Sequence, residues 1–273
     1  MAHRIMVERA GGPEMLRYEA YEPAEPGPGE ATVRHEAIGL NYIDVYVRTG
    51  LYPSAGAPFP LGMEAAGTVE AVGDGVDYLT PGQRVAYASP PNGAYADRRT
   101  MPADKLVPLP DIIPFETAAA MMLKGMTAQY LLRQTYVVKP GDTVLFHAAA
   151  GGVGLIFGQW AKHLGATTIG TVGSPEKAEL ARAHGYDHVI DYKREDFVAR
   201  VKEITDGAGV PVVYDGVGAT TFLRSLDCLA PCGMGVNFGS ASGPVENFAL
   251  GILSKGSHYV TRPTLMTYTR TRP

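Results

Sequence analysis

Cysteine is almost absent from the 273 residues: Cys228 and Cys232 are the only two. A disulfide-stapled scaffold is therefore excluded, and two sulfurs cannot build a four-thiolate zinc site. The reading is two reduced thiols, of a residue type often found buried. Long apolar runs are also missing. No stretch approaches the roughly 20 residues a membrane-spanning helix needs. The opening MAHRIMVERAGGPEML is interrupted by Glu8 and Arg9. It does not read as a secretory signal, so a cytoplasmic protein is expected. A basic excess is lacking too: 24 Lys+Arg stand against 28 Asp+Glu, a formal net charge of −4. Without a basic excess or tail, nucleic acid is not the expected partner, though a local patch stays open. The seven histidines (His3, His35, His147, His163, His184, His188, His258) do not cluster. His184 and His188 are four apart, but Gly185 ends the helix between them.

What is abundant is glycine and proline, 33 and 21 residues. In the first hundred residues they separate short alternating or β-branched runs: ATVRHEAIG (31–39), GTVEAVG (67–73) and QRVAYA (83–88). This pattern predicts a compact, mostly β domain. The composition changes near residue 114. FETAAAMMLKGMTAQYLLRQTYVV (115–138) reads as helix, broken at Gly125. Strands and helices then alternate. TVLFH (143–147), ATTIGTV (166–172), DHVID (187–191), VPVVYD (210–215), MGVNFG (234–239) and HYVTR (258–262) are the expected strands. The first helices among them are expected at 151–164 and from Pro175 to about His184. Alternation of this kind predicts an α/β parallel sheet covered by helices.

The strongest local signal follows TVLFH: Ala149-Ala150-Gly151-Gly152-Val153-Gly154, an A-x-G-x-x-G variant of the dinucleotide fingerprint. Small residues permit a tight turn and close approach of backbone to a pyrophosphate. The phosphates then meet a helix N-terminus, where unpaired N–H groups and the helix dipole favour anions. The motif opens a helix after a strand inside a βαβ unit, the context that gives it meaning. NAD enzymes place Asp or Glu at the end of the next strand to bind the ribose 2′-hydroxyl. Gly173 and Ser174 stand there, with Lys177 one turn into the helix. A 2′-phosphate suits that pattern, so NADPH is the expected cofactor. Lys177 has the alternative of a solvated helix lysine. Tyr192 reads equally as a hydroxyl donor or a surface residue.

Together, Gly141-Asp142-x-x-Leu145-x-x-x-Ala149-Ala150-Gly151-Gly152-Val153-Gly154 with Gln159 and Lys162, and AIGLNYIDVYVRTGLYP (37–53), GMEAAGTVEAVGDGV (62–76), LKGMTAQYLL (123–132), GTVGS (170–174) and VTRP (260–263), resemble the zinc-independent quinone oxidoreductases. That group of the medium-chain dehydrogenase/reductase superfamily includes zeta-crystallin. The resemblance covers nearly the whole chain. It implies a GroES-like, mostly β catalytic domain at 1–125 and a Rossmann doubly wound parallel-sheet domain at 126–263, with the active site in the cleft between. Residues 264–273 would begin a return to the catalytic domain. The chain ends at TYTRTRP, before family members do, so a missing C-terminal segment is expected.

The resemblance also implies roles. Asn41, Lys124 and Thr127 would line the nicotinamide pocket. Ala150, Gly151, Gly152 and Val153 would cradle the pyrophosphate. Gly173, Ser174, Lys177 and Tyr192 would hold the adenosine end and its 2′-phosphate. Phe238 and Ser240 would lie near the nicotinamide ribose. Tyr46 and Tyr52 would wall the substrate pocket and, with Asn41, form the catalytic group. A flat quinone can stack on aromatic rings and accept a phenol hydrogen bond. Two tyrosines in a turn-rich segment can equally be packing residues.

Related alcohol dehydrogenases hold catalytic zinc with a Cys and a His. The corresponding places here carry Asn41 and Met63, which do not suit zinc, so no metal is expected. Without a Lewis acid, acceptors that are already electrophilic fit better than alcohols. The expected activity is NADPH-dependent quinone reduction by hydride transfer, in a homodimer paired through an edge strand such as HYVTR. Reduction of α,β-unsaturated carbonyls is the enzymatic alternative. A non-catalytic NADPH-binding structural or RNA-associated role, which the crystallin resemblance permits, is the other.

Overall fold

The computed structural model describes residues 1–54 and 56–270. The described residues divide into two compact units, one at Met1–Leu123 and one running from Lys124 to residue 270.

The first unit contains β1 (Ala2–Val7), β2 (Leu16–Tyr21), β3 (Glu30–Gly39), α1 (Tyr42–Thr49), β4 (Phe59–Pro60), β5 (Glu64–Val72), β6 (Arg84–Ala88), β7 (Arg98–Pro102) and β8 (Val107–Pro108). A five-stranded antiparallel sheet runs in the order β7-β3-β5-β6-β8, and a three-stranded one in the order β2-β1-β4. Turn glycines separate the strands, and alternate side chains such as Val33, Val69, Val85 and Met101 fill one core. Helix α1 was not legible in a segment read as turn-rich. It is amphipathic, Asp44 sits in its first turn and Arg48 in its last, and Gly50 closes it at φ +81°.

Helix α2 (Phe115–Tyr130) passes through Gly125 without a break, contrary to the sequence expectation. An interior glycine costs a helix only about 1 kcal/mol relative to alanine, which apolar burial of Ala118, Ala119 and Ala128 outweighs. A π-helical turn, Leu131–Thr135, ends the segment.

The second unit continues with β9 (Thr143–His147), α3 (Gly152–His163), β10 (Thr167–Val172), α4 (Pro175–Ala183), β11 (His188–Asp191), α5 (Phe197–Ile204), β12 (Val210–Asp215), α6 (Phe222–Ser225), β13 (Leu229–Asn237), β14 (Tyr259–Thr261) and α7 (Leu265–Tyr268). All six strands pair in parallel, in the order β11-β10-β9-β12-β13-β14. This is the doubly wound arrangement whose ligand crevice lies beyond the carboxyl ends of the strands. Leu145, Ile169, Val213, Phe197 and Phe222 form its core. Of the expected terminal segment 264–273, residues 265–268 form α7; 271–273 lie outside the described residues. Tyr268 in α7 stacks on Tyr130 at 4.4 Å and hydrogen-bonds Thr135.

Candidate active site

Strand β9 delivers the chain into the Gly-rich loop. Ala148 takes φ +60°, and the Gly151 N–H donates to the Ala148 carbonyl at 2.8 Å, closing the turn. The first intrahelical bond of α3 is Leu155 N–H to the Gly151 carbonyl. The N–H groups of Gly152, Val153 and Gly154 precede it and form the orphan donors of a helix N-terminus. Close packing explains the glycines. A Cβ on Gly154 would lie 2.4 Å from the Ala149 carbonyl oxygen and 2.6 Å from that of Ala148. One on Gly152 would meet Cδ of Lys124 at 2.8 Å, so the Lys124 stem runs beside the start of α3. Thr127, one turn further along α2, is buried.

Beyond β10 the chain passes Gly173, where an added Cβ would lie 2.5 Å from the Tyr192 hydroxyl. Only a residue without a side chain allows that approach, and it brings two of the expected adenosine-end residues together. Ser174 caps α4, accepting from the Lys177 N–H at 3.3 Å. Lys177 is exposed, as is Tyr192. Two charged neighbours were missed in the sequence. Glu176 accepts a hydrogen bond from the Ser174 hydroxyl, which holds its carboxyl below the usual range, with Arg194 as a minor electrostatic contributor. Neither lies at the strand-end position that the fingerprint specifies, so the motif gave no signal for them. A carboxylate therefore does stand beside Ser174, and the Arg194 charge acts on it.

At the end of β13, Phe238 packs against Phe146 with ring centres 5.5 Å apart. Ser240 is buried and accepts from the Arg262 guanidinium at 3.1 Å. That guanidinium also donates to Asn237 Oδ1 at 2.6 Å.

In the first unit, Asn41 stands just before α1 and is buried. Its N–H donates to Asp44 Oδ2 at 2.9 Å, and its Nδ2 donates to Glu64 Oε2 at 2.6 Å. Glu64 is fully buried and its Oε1 accepts the Leu123 N–H at 2.8 Å. Asp44 Oδ2 also accepts from Tyr95, whose hydroxyl is pushed above the ordinary tyrosine range by burial, then by the Asp44 charge. Asp44, Glu64 and Tyr95 were not singled out in the sequence; GMEAAG (62–67) carried Glu64 only as part of a motif. Tyr46 and Tyr52 come together with ring centres 5.1 Å apart, and the exposed Tyr42 meets Tyr46 edge-on at 5.2 Å. Tyr42 is a third member that the sequence reading missed. Tyr52 also packs on the core of Val7, Val47, Phe59 and Leu61.

Among the described residues no group of three or more His, Cys, Asp or Glu side chains is placed to hold a metal ion. Cys228 is buried, and burial pushes its thiol up to about 12; Cys232 is exposed. No helix among the described residues is long and apolar enough to cross a membrane.

Residues 27–111 match the alcohol dehydrogenase GroES-like domain, and residues 152–270 match the zinc-binding dehydrogenase family. The two matches define the class: a medium-chain dehydrogenase/reductase. The zinc of that second description has no Cys at Asn41 and no His at Met63 to bind it. A quinone oxidoreductase of Pseudomonas aeruginosa is 60% identical over 272 residues, 99% of this chain and 84% of that protein. A 2-haloacrylate reductase of a Burkholderia species is 47% identical over 281 aligned positions, covering 100% of this chain and 84% of that protein. The crystal structure of the Escherichia coli quinone oxidoreductase complexed with NADPH superposes with a TM-score of 0.97 at 52% identity, covering 98% of this chain and 83% of that one. The chain belongs to the quinone oxidoreductase family.

Proposed function

We propose that this chain reduces quinones with NADPH as hydride donor. The observation that carries the reading is the loop between β9 and α3. Its tight Ala148–Gly151 turn and the orphan amides of α3 fit a pyrophosphate. The Gly173–Tyr192 approach and Lys177 fit an adenosine end that carries a 2′-phosphate. When bound, NADPH supplies the hydride; the protein supplies proximity, orientation and exclusion of water.

Ala150, Gly151, Gly152 and Val153 hold the pyrophosphate. Gly173, Ser174, Lys177 and Tyr192 hold the adenosine end. Lys124 and Thr127 are assigned to the nicotinamide side, Phe238 and Ser240 to its ribose. Asn41, Tyr46 and Tyr52 are the substrate-side group. The Tyr46–Tyr52 pair offers ring faces to a planar acceptor and hydroxyls that donate to the oxygen gaining charge. Domain roles follow: the first unit binds the acceptor and the second the dinucleotide. The exposed Tyr259 on edge strand β14 supports pairing of two copies through that edge.

The 47% identity with a 2-haloacrylate reductase favours a second reading, reduction of an activated carbon–carbon double bond. One assay separates them. NADPH oxidation is followed with 1,4-benzoquinone and with 2-chloroacrylate, EDTA present, and NADH in parallel. Turnover of the quinone with NADPH preferred over NADH is the expected result. Turnover of the acrylate alone would replace the first reading with the second.

A further inference from the structure

Beneath the loops that the proposed cofactor site uses lies a buried polar chain that the reaction does not call for. His147, the last residue of β9, is buried, as are Thr171 near the end of β10, Asp215 at the end of β12, and Ser225 in α6. His147 Nδ1 lies 2.9 Å from Thr171 Oγ1, and Nε2 lies 2.8 Å from Ser225 Oγ. Ser225 Oγ in turn reaches the Thr221 carbonyl at 2.8 Å and Asp215 Oδ2 at 3.3 Å.

The proton positions follow. Both further partners of Ser225 are acceptors, so its single proton goes to one of them. Nε2 of His147 must then carry a hydrogen and donate to Ser225. In a neutral imidazole Nδ1 is then the acceptor, and it receives the Thr171 proton. Burial lowers the His147 pKa, which agrees with the neutral ring. The chain ends on Asp215. Its Oδ2 also accepts from the Thr221 hydroxyl at 2.7 Å, and its Oδ1 accepts the N–H groups of Val217 and Gly218 at 2.7 and 2.9 Å.

One chain of hydrogen bonds thus ties together the carboxyl ends of three adjacent strands, β10, β9 and β12. From those ends spring the Ala148–Gly151 loop, the Gly173–Ser174 loop and the Gly216–Gly218 loop. A ring of Phe197, edge-on to the imidazole at 5.0 Å, closes the site from α5. A β-sheet core needs no such network; apolar residues would fill the same layer without the cost of burying a carboxylate.

We propose that His147 is a positioning residue for the dinucleotide: held as the Nε2–H tautomer between Thr171 and Ser225, it sets the mutual placement of the loops that grip the cofactor without touching it. The proposal rests on the NADPH reading above.

The test is NADPH dissociation constants by fluorescence titration for the wild type, His147→Phe, His147→Gln and Ser225→Ala, with turnover at saturating NADPH and urea stability measured on the same samples. In His147→Phe the dissociation constant rises about tenfold, the effect of one lost charge-free hydrogen bond or slightly more, while saturated turnover stays within about twofold. His147→Gln keeps an N–H near the Nε2 position and recovers most of the affinity. Ser225→Ala, a smaller perturbation that keeps the fold, moves affinity in the same direction. If all three variants bind NADPH like the wild type and differ only in urea stability, the network is structural and the proposal fails. If the wild type itself does not bind NADPH, the functional reading falls, and this proposal with it.

Discussion

Asn41 Nδ2 and Glu64 Oε2 are 2.6 Å apart, and that bond decides which way the Asn41 amide faces. A carboxylate only accepts, so the amide nitrogen turns toward Glu64 and the amide oxygen away from it. Glu64 is itself held by the Leu123 N–H. In Glu64→Gln the new amide has one oxygen to serve two donors. Keeping Leu123 satisfied would set two N–H groups against each other at Asn41. We expect a stability loss of about 1–3 kcal/mol for the unsatisfied buried donor, and a fall in turnover with quinone as Asn41 reorients. Urea denaturation and steady-state kinetics check this. A variant with unchanged turnover would remove Asn41 orientation from the mechanism.

Lys177→Ala tests the 2′-phosphate assignment. A charge-assisted contact to a phosphate is about twice as strong as a neutral one, and NADH lacks the group. The constant for NADPH should rise about tenfold while that for NADH barely moves. Glu176, hydrogen-bonded to Ser174, puts a negative charge beside the same site. Glu176→Gln should therefore lower the NADPH constant, the opposite sign. Equal effects of Lys177→Ala on both cofactors would sink the assignment.

Tyr52 shares its ring contact with Tyr46 and its packing with Val7 and Phe59. Tyr52→Phe keeps both and loses only the hydroxyl. Tyr52→Ala loses all of it. If the ring stacks the acceptor, the alanine variant raises KM for quinone about tenfold or more and the phenylalanine variant does not. If the hydroxyl donates to the developing anion, both lower kcat. Full activity in both removes Tyr52 from the site.

The second unit was largely legible in the sequence because its signals are local. A strand of five residues, a run of small residues and a helix start are all set by neighbours in the chain, and the predicted strands fall within a few residues of the observed ones. Helix α1 escaped although its end signals are local: Asp44 in the first turn, Arg48 in the last and Gly50 after it stand in a segment read as turn-rich. What is tertiary there is the bond from Asn41 to Glu64 and that from Tyr95 to Asp44. The three-stranded sheet of β1, β2 and β4 was missed because β4 is two residues long and pairs with β1 across more than fifty positions. Gly125 misled in the other direction: a local helix breaker was overridden by packing. Glu176, two residues past Ser174, lies outside the fingerprint position, and only the folded chain brings the Arg194 charge to bear on it.

Acid sensitivity has an identifiable source in the first unit. His35 Nδ1 lies 2.6 Å from the Ala96 carbonyl and must donate to it, so Nε2 accepts from the Tyr87 hydroxyl at 3.0 Å. Burial, above all, lowers the His35 pKa from 6.5 to about 4. The folded state therefore refuses a proton that the unfolded chain accepts. Stability is fully present above pH 6.5 and declines as pH falls toward 4, by about 3 kcal/mol over that window. His147 adds to the loss with the same sign, since burial lowers its pKa as well. Replacing His35 by Phe should cost stability at neutral pH, through the unpaired Ala96 carbonyl and Tyr87 hydroxyl, yet flatten the acid limb. Urea midpoints across pH check it. A limb as steep in the variant as in the wild type would assign the acid loss elsewhere.

Gly154→Ala is the sharpest test of why the fingerprint ends in glycine. The added methyl would lie 2.4 and 2.6 Å from two carbonyl oxygens of the loop, and backbone cannot swing aside as a side chain can. At Gly152 the obstacle is the flexible stem of Lys124, at 2.8 Å. The two substitutions should therefore separate. Gly154→Ala forces α3 away from β9 and should destabilise by about 1–3 kcal/mol, in the range of an overpacked core, with NADPH binding lost. Gly152→Ala should keep the fold, displace Lys124, and weaken NADPH binding alone. Thermal unfolding with and without NADPH reads both effects. Equal stability of the two variants would mean that the loop yields more readily than its carbonyl packing implies.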